Sequence, residues 1–84
     1  MAVVVLTAMA ATQLDDLKNP LHARVLRILV RLEDWPNVSG AKALRGDFAG
    51  SYRMRTGDYR VQFSVAGEVV TVEKIGHRDG FYEE

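Results

Sequence analysis

The sequence contains no cysteine, which excludes disulfide bonds and thiolate metal sites and fits a protein of the cytoplasm. No apolar run approaches the roughly 18 residues of a membrane-spanning helix, so no membrane association is expected. The opening run Val3–Leu6 follows no basic segment and is too short for a secretory signal. Metal-ligand spacings, phosphate-binding glycine loops and nucleophile elbows are also missing. We therefore expect a cytoplasmic protein that uses no metal and no small-molecule cofactor.

The sequence also lacks a net charge, since 11 lysines and arginines balance 11 aspartates and glutamates. Nucleic-acid-binding domains are usually basic, so the total argues against one. The distribution along the chain is uneven. Residues 37–60 hold five basic and two acidic side chains, whereas residues 61–84 hold two basic and five acidic ones. This distribution predicts a local anion-binding site in the middle of the chain.

The length of 84 residues predicts one small domain, residues 1–84, and a hydrophobic content of 48% is typical of a folded protein. A valine-rich run predicts a buried strand over Ala2–Leu6. Apolar residues at helical spacing predict helices over Ala8–Lys18 and Leu21–Glu33. The second helix is expected to start at Asn19-Pro20, with the asparagine as its N-cap.

The second half of the chain has the pattern of a sheet. A glycine-containing loop is expected over residues 36–50, followed by a β-hairpin over residues 51–66 and a last strand over Val69–Ile75. The resulting order is β-α-α-β-β-β. This order predicts an α+β fold in which two N-terminal helices pack on one face of a small, mainly antiparallel sheet.

The hairpin is the most informative stretch, because apolar and polar residues alternate on both sides of Thr56-Gly57-Asp58. Neighbouring residues of a strand point to opposite faces, so the apolar set should face the helices and the polar set should be open. The apolar set is Tyr52, Met54, Tyr59, Val61 and Phe63, and the polar set is Arg53, Arg55, Arg60 and Gln62.

Three arginines therefore share the open face of the hairpin. With Gly57-Asp58 as the loop Arg60 lies opposite Arg55, and with Thr56-Gly57 as the loop it lies opposite Arg53. Like charges that face each other destabilise a sheet. The presence of three arginines on one face therefore suggests that this face binds an anion. A phosphate is the best candidate, because guanidinium groups bind phosphate through two parallel hydrogen bonds.

An ordered set of short motifs covers the second half of the chain and ends on a tyrosine. The motifs are Leu44-Arg45-Gly46, Tyr52-Arg53-Met54-Arg55, Gly57-Asp58-Tyr59-Arg60-Val61, Ile75-Gly76-His77-Arg78 and Tyr82. This set resembles the RelE/ParE superfamily of type II toxins, and the RelE branch in particular. The resemblance extends over most of the chain, including the helix pair.

The resemblance implies a function. RelE-like toxins are ribosome-dependent mRNA endonucleases that a cognate antitoxin binds and silences, so the implied partners are the antitoxin, mRNA and the ribosome with its rRNA. Two alternatives remain open. ParE-like members share the fold and inhibit DNA gyrase, and a catalytically inactive member would only bind its antitoxin.

The resemblance also implies roles for single residues. Arg60 and Arg78 are expected to stabilise the charge that develops on the phosphate when the substrate 2′-hydroxyl attacks it. Tyr82 is expected to act as a catalytic acid or base. Phosphate binding along the flanking RNA is expected from Arg53, Arg55, Lys42 and Arg45.

The proton acceptor is the open question at this site. The best-known RelE pattern has lysines at the positions of Arg53 and Arg55, and arginine stays protonated, which makes it a poor base. Tyr82 is the favoured acid or base. Histidine titrates near neutral pH, so His77 is a second candidate, although a continuous strand would point it away from Arg78. Glu73 is a third candidate that the sequence pattern does not single out.

Overall fold

The computed structural model describes residues 1–81, which form two helices packed on one face of a five-stranded sheet. The predicted α+β class is therefore confirmed. The strands are β1 Val3–Leu6, β2 Lys42–Ala43, β3 Ser51–Thr56, β4 Tyr59–Ala66 and β5 Val69–His77, and the helices are α1 Ala8–Asp15 and α2 Leu21–Arg31. Across the sheet the order is β1-β5-β4-β3-β2. β1 runs parallel to β5, and the other neighbouring strands are antiparallel.

Both helices are shorter than predicted. α1 ends at Asp15 instead of Lys18. Two consecutive aspartates lie at this end, where the helix dipole disfavours negative charge, and this explains the early stop. α2 ends at Arg31 and continues as a 3-10 turn over Leu32–Asp34. The predicted cap by Asn19 is wrong, because Pro20 occupies the N-cap position of α2 and no side chain accepts a hydrogen bond there. Neither helix is long and apolar enough to cross a bilayer.

The two faces of the hairpin are as predicted. Thr56 pairs with Tyr59, so Gly57-Asp58 is the two-residue loop, and Gly57 takes the left-handed φ of 58° that favours glycine. Four of the five predicted helix-facing residues join or pack against the core, Tyr52, Met54, Val61 and Phe63, whereas Tyr59 is half-buried outside it and contacts His77. The largest fully buried side chains of the core are Phe63, Leu32, Met54, Ile75, Val25, Val61, Val70 and Val72.

β5 contains a β-bulge that alternation alone does not predict. Phe63 of β4 pairs with Val72, but the preceding Gln62 pairs with Lys74, which leaves Glu73 as an extra residue. The buried residues on the two sides of the bulge are therefore three positions apart instead of two. The bulge turns the Glu73 side chain toward the open face of the sheet, away from the helices.

The start of α1 holds this bulge in place. β1 stops before the bulge, so the last part of β5 has no strand neighbour on that side. Thr7, the N-cap of α1, accepts a hydrogen bond from the Ala10 amide at 3.0 Å and donates one to the Glu73 carbonyl at 3.1 Å. Gln13 Oε1 accepts one from the Ile75 amide at 2.7 Å. Side chains of α1 thus satisfy backbone groups that a strand would otherwise pair.

Thr7→Ala is expected to lower the free energy of unfolding by about 1–2 kcal/mol, because it removes the helix cap and the bond to the bulge. Urea denaturation followed by circular dichroism measures this loss. Thr12→Ala, the same exchange at an exposed position of α1, serves as the matched control and should cause no loss. Equal stability of the two variants would contradict the role of Thr7.

Candidate functional site

The open face of the sheet carries a row of basic side chains on three adjacent strands. Arg55 of β3 lies directly opposite Arg60 of β4, and Arg53 lies between Lys42 of β2 and Gln62 of β4. We call Lys42, Arg53, Arg55 and Arg60 the basic face. Its positive charges face each other across the ladder with no acidic residue between them in these pairs, as an anion-binding surface requires.

Arg60 lies near the hairpin turn on this face. Its Nη1 is 3.4 Å from the Gly57 carbonyl and 3.5 Å from the Tyr59 carbonyl, at the limit of hydrogen bonding. These contacts are long and therefore weak. Arg60 can therefore turn toward a phosphate at little cost.

A groove lies beside the basic face. It has a volume of about 760 Å³ and is lined by Lys42, Ala43, Leu44, Arg45, Phe48 and Arg53. The short strand β2 pairs Lys42 with Arg53, and the Leu44 amide donates to the Ser51 carbonyl at 2.9 Å. Phe48, the last residue of the 3-10 turn Gly46–Phe48, also lines the groove. Three of the four predicted phosphate-binding residues thus meet around one groove with an apolar lining.

Arg78 lies at the tip of the hairpin. Its amide donates to the Asp58 carbonyl at 2.7 Å, and its Nε is 3.9 Å from the Asp58 carboxylate and 3.6 Å from that of Asp79. The side chain is 59% exposed. Exposed ion pairs at these distances contribute little, so a phosphate can compete with both carboxylates for Arg78.

His77 lies on the other side of the sheet. It pairs with Tyr59, and their rings meet edge to face at 5.4 Å between centroids. Both residues line a cavity with Pro20, Leu21 and Arg24 at the start of α2. Nδ1 of His77 accepts a hydrogen bond from the Asp79 amide at 3.1 Å. The structure therefore does not bring His77, a predicted acid or base, to the basic face.

After Arg78 the chain turns back over β5, a feature that sequence reasoning missed. Phe81 is 3% exposed, and its ring lies so close to Gly76 that a Cβ there would be 3.3 Å from it. Lys74 Nζ donates to the Phe81 carbonyl and lies 4.7 Å from the ring centroid. Tyr82 lies outside the described residues, so its role stays a prediction.

Sequence reasoning also left Glu73 without a place at the site. Its Oε1 accepts hydrogen bonds from Ser51 Oγ at 3.0 Å and from Gln62 Nε2 at 3.2 Å. Both donors lie on the open face, next to Arg53 in the strand ladder. The usable signal was the apolar spacing Val70, Val72, Ile75, because a step of three within a strand indicates a bulge.

Comparison with known proteins agrees with the fold. No family model matches the sequence, and no curated protein matches it either. Solved structures do match. The RelBE2 toxin–antitoxin complex from Mycobacterium tuberculosis is 25% identical with a TM-score of 0.78, covering 92% of this chain and 91% of its own. The archaeal RelE–RelB complex from Pyrococcus horikoshii is 27% identical with a TM-score of 0.73, covering 92% and 94%.

A third structure supports the fold alone. The isolated E. coli RelE toxin is 22% identical with a TM-score of 0.77, and the match covers 92% of this chain and 84% of the toxin. The chain thus has the fold of type II toxins, as its match to a solved toxin–antitoxin complex shows. Within that class the chain is RelE-like, which confirms the resemblance predicted from its motifs.

Proposed function

We propose that this protein is a ribosome-dependent mRNA endonuclease, the toxin of a type II toxin–antitoxin pair. The observation that carries the proposal is the pairing of Arg55 with Arg60 beside the pairing of Lys42 with Arg53. These unfavourable pairs are compensated when RNA phosphates bind between them. The similarity to RelE toxins supports the same proposed function.

The proposed reaction uses the 2′-hydroxyl of the substrate as the nucleophile and does not require a metal. Arg60 and Arg78 hold the scissile phosphate and stabilise its developing charge with fixed hydrogen-bond donors. Arg53, Arg55, Lys42 and Arg45 hold the flanking RNA backbone, which keeps the reacting atoms in line. Tyr82 remains the predicted acid or base from the resemblance.

The proposed partner in the resting state is a cognate antitoxin. The two complexes described above each contain a RelE-type toxin with its antitoxin. For this chain we propose an extended or helical antitoxin segment with acidic residues, which covers the basic face and the helix pair. Toxin and antitoxin would act in the cytoplasm, where mRNA is translated.

Two assays run side by side test the function. Primer extension on a translated mRNA should reveal cuts in codon register that appear only when ribosomes are present. A DNA gyrase supercoiling assay with the same protein should reveal no inhibition. Inhibited supercoiling with intact mRNA would instead identify a ParE-like gyrase inhibitor. Intact mRNA with active gyrase would identify a chain that only binds its antitoxin.

Arg45→Ala is expected to weaken binding of a single-stranded RNA. The negative slope of log affinity against log salt should become shallower by about 0.7, the value of one phosphate contact. Fluorescence anisotropy over a salt series measures both quantities. Arg27→Ala, an exposed arginine of α2 on the opposite side of the sheet, is the matched control and should change neither. Equal slopes for Arg45→Ala and Arg27→Ala would mean that RNA does not bind along the groove.

A further inference from the structure

We propose that Glu73 is the proton acceptor for the attacking 2′-hydroxyl, an inference that rests on the proposed endonuclease function. Attack by a 2′-hydroxyl needs a group that takes its proton. The basic face offers arginines and a lysine, and arginine does not give up its proton in proteins. The site therefore needs a carboxylate, an imidazole or a phenolate within reach of the phosphate.

Glu73 is the carboxylate that the fold delivers to this face. The bulge between Val72 and Lys74 turns it away from the core, and the bond from Thr7 to its carbonyl fixes the backbone there. Within residues 1–81, Asp58 and Asp79 lie at the hairpin tip beside Arg78 and are 63% and 80% exposed, and Asp47 is an exposed residue of the 3-10 turn next to the groove.

The carboxylate is held in a defined orientation. Ser51 Oγ at 3.0 Å and Gln62 Nε2 at 3.2 Å both donate to the same oxygen, Oε1. Within residues 1–81 the side-chain hydrogen bonds to this group thus fall on one oxygen. Gln62 is only 9% exposed, so water competes little with Glu73 for its amide nitrogen. These hydrogen bonds leave Oε2 as the oxygen that meets a substrate hydroxyl.

The position of Glu73 relative to the arginines suits the reaction. Gln62, which holds the carboxylate, pairs with Arg53. Arg60 lies two residues along β4 on the same face, roughly 7 Å away along the strand. A scissile phosphate held by Arg60, with the flanking backbone on Arg53, would then have its neighbouring ribose on the side of Glu73.

The 2′-hydroxyl oxygen attacks phosphorus while its proton passes to Glu73 Oε2. The bond between phosphorus and the 5′-oxygen breaks, and that oxygen takes a proton from water or from the predicted acid Tyr82. The products are a 2′,3′-cyclic phosphate and a 5′-hydroxyl. Glu73 returns its proton to solvent before the next turnover.

Glu73→Gln tests the proposal, because glutamine keeps the size and a hydrogen-bond acceptor for Ser51 but cannot take the proton. Ribosome-dependent mRNA cleavage should fall at least about 100-fold, and single-stranded RNA should bind no more weakly than to the wild type. Glu68→Gln, the same exchange in the exposed β4–β5 turn, is the matched control and should cleave at the wild-type rate.

A second variant separates chemistry from structure. Glu73→Ala should regain cleavage as formate is added, since formate can accept the proton in place of the side chain. Arg60→Ala should not respond to formate. If Glu73→Gln cleaves like the wild type, or formate does not restore Glu73→Ala, the assignment of Glu73 fails while the proposed function stands. If the wild-type protein cleaves no mRNA, the proposed function itself fails.

Discussion

Arg60→Ala is expected to lower ribosome-dependent mRNA cleavage by about 10²–10³-fold, the usual loss when one donor to a developing negative charge is removed. Arg60 lies opposite Arg55, and its long contacts to Gly57 and Tyr59 leave it free to turn toward a phosphate. Primer extension with equal amounts of each protein measures the rate. The cleavage rate of Arg60→Lys should lie between those of the wild type and Arg60→Ala, because lysine keeps the charge but cannot form two parallel hydrogen bonds to a phosphate.

The stability of Arg60→Ala distinguishes a functional from a structural arginine. Because Arg60 faces another arginine across the ladder, its removal should leave the free energy of unfolding unchanged or raise it. Arg27→Ala on α2 is the control for loss of an exposed arginine and should keep full cleavage. Full cleavage by Arg60→Ala, or a large loss of its stability, would contradict the proposed role.

Phe63→Ala is expected to lower the free energy of unfolding by about 3–5 kcal/mol, the largest effect on stability. Phe63 is fully buried, and its ring lies 5.3 Å from that of Trp35 and 5.6 Å from that of Tyr52. Alanine removes both aromatic contacts and leaves a cavity in the centre of the core. The total free energy of unfolding of a native protein is only about 5–15 kcal/mol, so this variant should be partly unfolded at 37 °C.

The measurement is urea denaturation at 25 °C, followed by circular dichroism. Phe63→Leu should lose less than Phe63→Ala, because it keeps most of the buried volume. Val69→Ala, a smaller exchange at a position that is 40% exposed, should stay within about 0.5 kcal/mol of the wild type. A denaturation midpoint for Phe63→Ala equal to that of the wild type would contradict the central position of this ring.

Alternation predicted the parts of the fold that place the site. Tyr52, Met54 and Phe63 face the helices and the arginines face outward, because a strand with one buried face must separate apolar from polar residues. The helix pair was predicted for the same reason, from the apolar stripe of α2. The sequence left two loops open for the hairpin turn, Thr56-Gly57 and Gly57-Asp58, and the pairing of Thr56 with Tyr59 selects the second.

Three features of the site lie beyond strict alternation, although the step of three from Val72 to Ile75 marks the position of one of them, the bulge. β2 has two residues, Lys42 and Ala43, which is too short for any pattern. The bulge at Glu73 depends on side chains of α1 that are about 60 residues away in sequence, Thr7 and Gln13. Phe81 returns over Gly76 through contacts with Lys74, which only the tertiary structure brings together. Each feature rests on long-range packing, which a local pattern does not encode.

The two faces of the sheet thus have separate tasks. The face toward α1 and α2 stabilises the fold by burying apolar side chains. On the open face, neighbouring positive charges repel each other and destabilise the fold. The carboxylate of Glu73 is the exception on the open face, where Gln62 and Ser51 hold it beside the arginines. In the proposed mechanism, this arrangement gives a phosphate-binding surface that also has a proton acceptor.

The chemistry of the cut ends tests this account most directly. Translated mRNA is incubated with the purified protein, and the two ends at each cut are analysed by their reactivity toward polynucleotide kinase. The account predicts a 5′-hydroxyl on the downstream fragment and a 2′,3′-cyclic phosphate on the upstream one, as attack by the 2′-hydroxyl requires. A 5′-phosphate with a free 3′-hydroxyl would mean that water attacks the phosphate, and would contradict the account.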